Sequence, residues 1–152
     1  MRHVWSLILL TLAHHSAFAQ TPSSQMKGTV SEQDKSPTYL APSGQARITI
    51  LAQGERAFMG RLWLAPHATV PLHQDPTEEY LHILEGEGTL SLNGVDYAVR
   101  AGMTIFMPAK AKVTFKNGDK PMVCLQVFAG PESAKKYHGW PRENRKTPRE
   151  KH

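Results

Sequence analysis

A length of 152 residues, 40% of them hydrophobic and 20% charged, suits one globular domain and excludes a large multidomain enzyme. The 11 Gly and 11 Pro favour many turns over long helices, and the single cysteine, Cys124, excludes an internal disulfide framework and a zinc site built from several thiolates. The formal charge of +5 is uneven: residues 134–152 hold seven Lys or Arg against two Glu, and residues 20–133 hold ten against eleven acidic groups, a near-neutral body that argues against nucleic-acid binding.

The chain opens with Met1, Arg2 and His3, an apolar run from Val4 to Ala13, and Ala17-Phe18-Ala19, the small-x-small pattern of a cleaved export signal over residues 1–19. About ten apolar residues fall short of the roughly twenty that span a bilayer. No membrane span is expected, and the mature protein is expected to be periplasmic or secreted. Residues 20–44, rich in Ser, Gln, Lys, Pro and Thr, read as an N-terminal extension that wraps the domain or stays mobile.

A barrel domain is expected over residues 45–130. Eight segments show period-two patterning or short apolar runs: Arg47 to Ala52, Ala57 to Leu64, Tyr80 to Leu84, Thr89 to Leu92, Val95 to Val99, Thr104 to Met107, Val113 to Lys116 and Met122 to Phe128. Turn formers separate them, most sharply Asn93-Gly94, where both residues accept the positive φ of a two-residue hairpin. Short strands at this spacing predict an all-β sandwich or barrel. Residues 131–152 read as a basic tail, in which Pro131, Pro141 and Pro148 interrupt any helix and Trp140 is a candidate for docking on the barrel.

The chemistry-bearing stretch is His73-Gln74-Asp75-Pro76-Thr77-Glu78-Glu79. His73 and Asp75 share a strand parity, and Glu79 opens the next strand on the face of Leu81 and Ile83. A buried imidazole beside two carboxylates is costly unless the groups bond one another or hold a cation, and the residues alone leave both readings open. Parity puts His82 outside the cavity, and His67 falls in an exposed turn. Gln126, in an otherwise apolar strand, is placed to orient a ligand or to satisfy a neighbour. Met59, Trp63, Met107 and Phe115 are expected in the apolar lining or core, with Cys124 as a small core residue.

These residues resemble the signature of the cupins, small jelly-roll β-barrels. The first cupin stretch is matched by His73-x-Asp75, three residues, Glu79, six residues and Gly86. The second is matched by Gly102, Pro108 and Asn117, with Lys110 where the pattern has Gly and Val113 where it has His. The resemblance implies a cupin-type jelly-roll with an incomplete ligand set: His73, Asp75 and Glu79 as candidate ligands to one divalent metal ion. Such a harder donor set suits manganese, ferrous iron or magnesium, with zinc also considered, over copper or nickel. Gln126, Val113, Phe115 and Met107 are the candidate ligand-binding residues of the cavity. A homodimer is implied by the resemblance alone. Three functions compete: a metal-dependent enzyme (isomerase, lyase or oxygenase), a non-catalytic binder of a small molecule, and a scaffold whose basic tail meets an anionic partner. Binding of a small molecule, with catalysis undecided, is the expectation carried forward.

Overall fold

A computed structural model describes residues 27–143. The expected export signal, the start of the extension and the tail beyond 143 lie outside the described residues. The ten strands are β1 (Thr38–Leu40), β2 (Ala46–Gln53), β3 (Phe58–Leu64), β4 (Thr69–His73), β5 (Glu79–Glu85), β6 (Glu87–Leu92), β7 (Val95–Arg100), β8 (Thr104–Met107), β9 (Val113–Asn117) and β10 (Met122–Phe128). They form two antiparallel sheets, a six-stranded one in the order β1-β2-β3-β10-β5-β8 and a four-stranded one in the order β4-β9-β6-β7. The non-sequential neighbours are the crossovers of a jelly-roll. Among the described residues the only helices are two 3-10 turns, Gln33–Lys35 and Ser133–Gly139.

All eight expected strands are present, two of them, β8 and β10, with the expected bounds. The structure adds two that the pattern did not reveal. β4 contains Pro71, which cannot donate to a ladder, but β4 is an edge strand, where a missing donor costs least. β1 lies within the polar segment expected to be an extension, and pairs Tyr39 with Ile48 at the other sheet's edge. The part of residues 20–44 that is described therefore wraps the barrel.

Inward parity builds the core. β3 turns Phe58, Gly60, Leu62 and Leu64 inward, whereas Met59 and Trp63 lie on the opposite face. The expectation that Met59 and Trp63 belong to the lining or core is therefore corrected: Trp63 is half-buried under the Arg47 guanidinium, 4.8 Å from its ring. The larger cluster of buried residues, including Leu64, Ile83, Leu90, Met107, Val113, Phe115 and Met122, surrounds the barrel interior. A second, of Ile48, Phe58, Phe128, Ala134 and Tyr137, joins the tail to the barrel.

The beginning of the tail is folded. Ala134 and Tyr137 are buried, Trp140 meets Tyr137 edge-on with ring centroids 4.9 Å apart, and the Glu143 amide donates to the Thr38 carbonyl at 2.8 Å. Trp140 thus docks, and Tyr137 is the deeper anchor.

The Asn93-Gly94 hairpin has positive φ at both residues, 51° and 85°, as its turn type requires. Lys110, at the position where the cupin pattern has Gly, also adopts a positive φ, 63°. A side chain with a Cβ is disfavoured there, so Lys110→Gly should raise the unfolding free energy by about 0.5–1 kcal/mol, read from urea denaturation.

Candidate functional site

Between the two sheets lies a cavity of about 520 Å³. Its walls are mainly aliphatic, from Leu62, Leu64, Leu81, Ile83, Leu90 and Met122, with Phe115, Met107, Val113 and Cys124 among them. Its titratable groups gather where β4, β5 and β10 meet the tail, His73, Asp75, Glu79, Lys136 and Tyr137 with Gln126 among them, while Ser43 and Thr69 line it elsewhere. The candidate residues Gln126, Val113, Phe115 and Met107 all line this one space.

Each polar group has a backbone reason for its place. His73 ends β4 directly across from Val113 on β9. The loop carrying Asp75 is tied to the Lys110 turn by two bonds: the Lys110 amide donates to the Asp75 carbonyl at 2.7 Å, and Gln74 Nε2 donates to the Lys110 carbonyl at 2.6 Å. The left-handed turn at Lys110 therefore helps set the position of Asp75. Glu79 begins β5 between Met107 of β8 and Phe128 of β10, and is only 5% exposed. Parity holds on the other face of β5, where His82 is exposed and bonds Thr104 Oγ1 at 2.9 Å. His67 is likewise exposed in its turn. Asn117, the last residue of the second cupin stretch, donates from Nδ2 to the Ala65 and Lys120 carbonyls at 2.7 and 3.0 Å, bracing two turns outside the cavity chemistry.

The buried side chains form a relay. Tyr137 Oη donates to Gln126 Oε1 at 2.7 Å, and Gln126 Nε2 donates to Glu79 Oε1 at 2.6 Å. Gln126 thus bonds two buried neighbours while it also lines the cavity. Burial pushes the Glu79 carboxyl above the usual carboxylate range, against the opposing bond from Gln126 and the charge of Lys136. Burial also holds the Tyr137 hydroxyl well above its ordinary value. The Cys124 thiol is pushed up to about 12 by burial and by the Glu79 charge, so Ellman's reagent at pH 8 should leave it unmodified until the protein is unfolded.

His73, Asp75 and Glu79 do come together: one ligand atom from each lies within 4.8 Å of the others. His73 Nδ1 donates to the Pro71 carbonyl at 2.9 Å, and the other ring nitrogen, Nε2, lies 3.7 Å from Asp75 Oδ2. A ligating imidazole is commonly fixed in this way. The three donors therefore fit a divalent ion, and Val113 supplies no fourth. Two residues absent from the expected site complete it: Lys136 and Tyr137. Lys136 Nζ lies 3.2 Å from both Asp75 oxygens. The polarity of the tail concealed them. A signal was available in Ala134, Tyr137 and Trp140, spaced by three, the period at which 3-10 side chains align on one face.

A family model described as a cupin domain matches residues 60–128. No curated protein matches the chain in sequence. Among solved structures it is similar to an RmlC-like cupin from Shewanella frigidimarina, at 15% identity and a TM-score of 0.62, covering 68% of this chain and 92% of that one. It is also similar to a predicted oxalate decarboxylase from Thermotoga maritima, at 24% identity and 0.59, covering 67% and 99%. A third is the polyketide cyclase RemF from Streptomyces resistomycificus, at 20% and 0.58, covering 68% and 79%. At these identities the likeness is one of fold. Among the described residues no helix is long and apolar enough to cross a membrane.

Proposed function

Because this chain is a small cupin-domain protein, we propose that it is exported and binds a small, largely apolar organic molecule in its barrel cavity, with the molecule's polar head against His73, Asp75 and Glu79. The observation that carries this reading is a cavity of about 520 Å³ with mainly aliphatic walls and its titratable groups gathered in one cluster. Ligand sites have this size and this distribution of polarity.

The electrostatics narrow the class of ligand. Asp75 is paired with Lys136, and burial favours the neutral form of Glu79. A carboxylate-rich or multiply charged molecule would find little net charge to answer its own and would lose its hydration against Leu, Ile and Phe side chains. A neutral head, a hydroxyl or a carbonyl, suits the site. Protonated Glu79 would donate to a carbonyl oxygen, and the His73 Nε2 lone pair would accept from a hydroxyl. Gln126 and Tyr137 hold Glu79 in position for that contact.

When bound, a divalent ion held by His73, Asp75 and Glu79 would supply Lewis acidity toward the same ligand oxygen. That is the basis of a second reading, a metal-dependent enzyme of isomerase, lyase or oxygenase type, favoured by the convergence of the three donors. A purified protein that takes up no divalent ion would remove this second reading.

The test of ligand binding is Val113→Phe. Residue 113 is buried and lines the cavity directly across from His73, so a benzyl group there enters the space beside the polar end. The variant should fold and keep its melting temperature while losing about tenfold or more in affinity for apolar fragments found by thermal-shift screening, as lost apolar contact of this size implies. Unchanged affinity for every fragment would place binding elsewhere.

A further inference from the structure

We infer that Lys136 is a built-in cation for the His73–Asp75–Glu79 cluster, so that the Lys136 ammonium and a divalent metal ion exclude one another at Asp75. The inference rests on the three-donor reading of this cluster and is independent of which organic molecule fills the cavity.

The geometry is specific. Lys136 Nζ sits 3.2 Å from Asp75 Oδ1 and 3.2 Å from Oδ2, spanning both oxygens of a carboxylate whose side chain is only 13% exposed. The ammonium also lies 5.1 Å from the Phe128 ring centroid and 5.6 Å from that of Tyr137, close enough for both ring faces to attract it. The enclosed partner is the carboxylate: Lys136 is exposed and caps a nearly buried Asp75 from the solvent side.

The backbone that carries Lys136 is anchored on both sides. Tyr137, its neighbour, is buried and reaches Glu79 through Gln126. Ser133 Oγ and Thr77 Oγ1 share a hydrogen bond of 2.7 Å, which joins the same 3-10 turn to the loop between Asp75 and Glu79. One turn of the tail thus serves both carboxylates, Asp75 by charge and Glu79 through an amide.

A metal ion ligated by Asp75 must take lone pairs that now face Nζ, and it brings two further positive charges to within a few ångströms of an ammonium. In a partly buried site that repulsion is only weakly screened. The Lys136 side chain is 39% exposed, so it can leave for solvent when an ion enters. Lys136 then sets the threshold for metal loading, and position 113 sets how firmly an ion is held.

The experiment is calorimetric titration of the full-length mature protein with Mn²⁺ and with Zn²⁺, comparing wild type, Lys136→Met and Lys136→Arg. Lys136→Met, which keeps the alkyl stem and removes the charge, should bind both ions about tenfold more tightly or better. Lys136→Arg should resemble wild type. Equal or weaker binding by Lys136→Met, absence of binding by both it and wild type, or Lys136→Arg binding as tightly as Lys136→Met would each overturn the inference.

A second measurement serves if Lys136→Met does not fold. In wild type carrying ¹³C-labelled lysine, saturating Zn²⁺ should move the Lys136 Cε resonance to the position of a free surface lysine. A resonance that stays in place overturns the inference. Neither result bears on the organic ligand, whose test is metal-free: the Val113→Phe comparison can fail while Lys136→Met succeeds, and the reverse.

Discussion

Tyr137→Ala should lower the unfolding free energy by about 3–5 kcal/mol, the range for removing a buried aromatic ring. The ring is 3% exposed and packs against Phe58 and Phe128 with centroids 5.8 and 6.5 Å away, while Trp140 rests edge-on upon it. Truncation would open a void between the tail and the barrel and remove the platform on which Trp140 sits. It would also leave the buried Gln126 Oε1 without its donor. Tyr137→Phe isolates that last effect, because it keeps the ring and removes only the hydroxyl; about 1–3 kcal/mol is expected for the orphaned acceptor. Guanidinium denaturation measures both. A loss in Tyr137→Ala no greater than that of an ordinary surface substitution would show that the tail is an appendage.

Val113→His should tighten binding of a divalent transition metal by about ten- to a hundredfold, on the scale of one added ligand. Val113 and His73 are direct partners across the β4–β9 ladder, and directly opposed Cβ atoms lie about 5 Å apart. Both line the cavity, so an imidazole at 113 arrives beside His73 on the side of Asp75 and Glu79. Nickel, copper and zinc should gain most and manganese least, since the added donor is nitrogen. Asp75→Ala and Glu79→Ala in the Val113→His background should remove the gain. Calorimetry with each ion is the measurement. A well-folded variant with no gain for any ion would mean that His73, Asp75 and Glu79 are not a cation site.

Period-two patterning carried most of the fold into view, and where it failed the reasons are local. β10 was legible because six of its seven residues are apolar and it lies between β3 and β5 in the middle of its sheet. β4 was hidden by Pro71, a residue that forbids a central strand but not an edge strand. Trp63 was misplaced because size suggests burial; parity governs instead, and Gly60 takes the inner face while Trp63 packs outside beneath Arg47. At the site, His73, Asp75 and Glu79 do lie together, but strand parity accounts only for Glu79 on β5: β4 ends at His73 after a break in its register, and Asp75 is placed by the loop that follows, tied to the Lys110 turn. Lys136 and Tyr137 were beyond that reasoning. They reach the site from a segment far along the chain whose composition is that of a solvated tail, and only tertiary packing shows which of its residues turn inward. Lys110 was legible as a departure from the cupin pattern, and its positive φ shows that the turn keeps the geometry of the glycine it lacks.

The central claim is that the barrel cavity, with its polar end, is the binding site. Methyl-labelled protein observed by ¹H–¹³C correlation spectroscopy tests it most directly, because Leu62, Leu64, Ile83, Leu90, Met107, Val113 and Met122 place methyl groups around the cavity wall. Titration with neutral aromatic and aliphatic alcohols and ketones should shift these methyls as a group, with exposed Leu72, Leu84 and Val95 left unchanged as internal controls. Shifts confined to the exposed methyls, or none at any site up to millimolar concentration across the series, would contradict it.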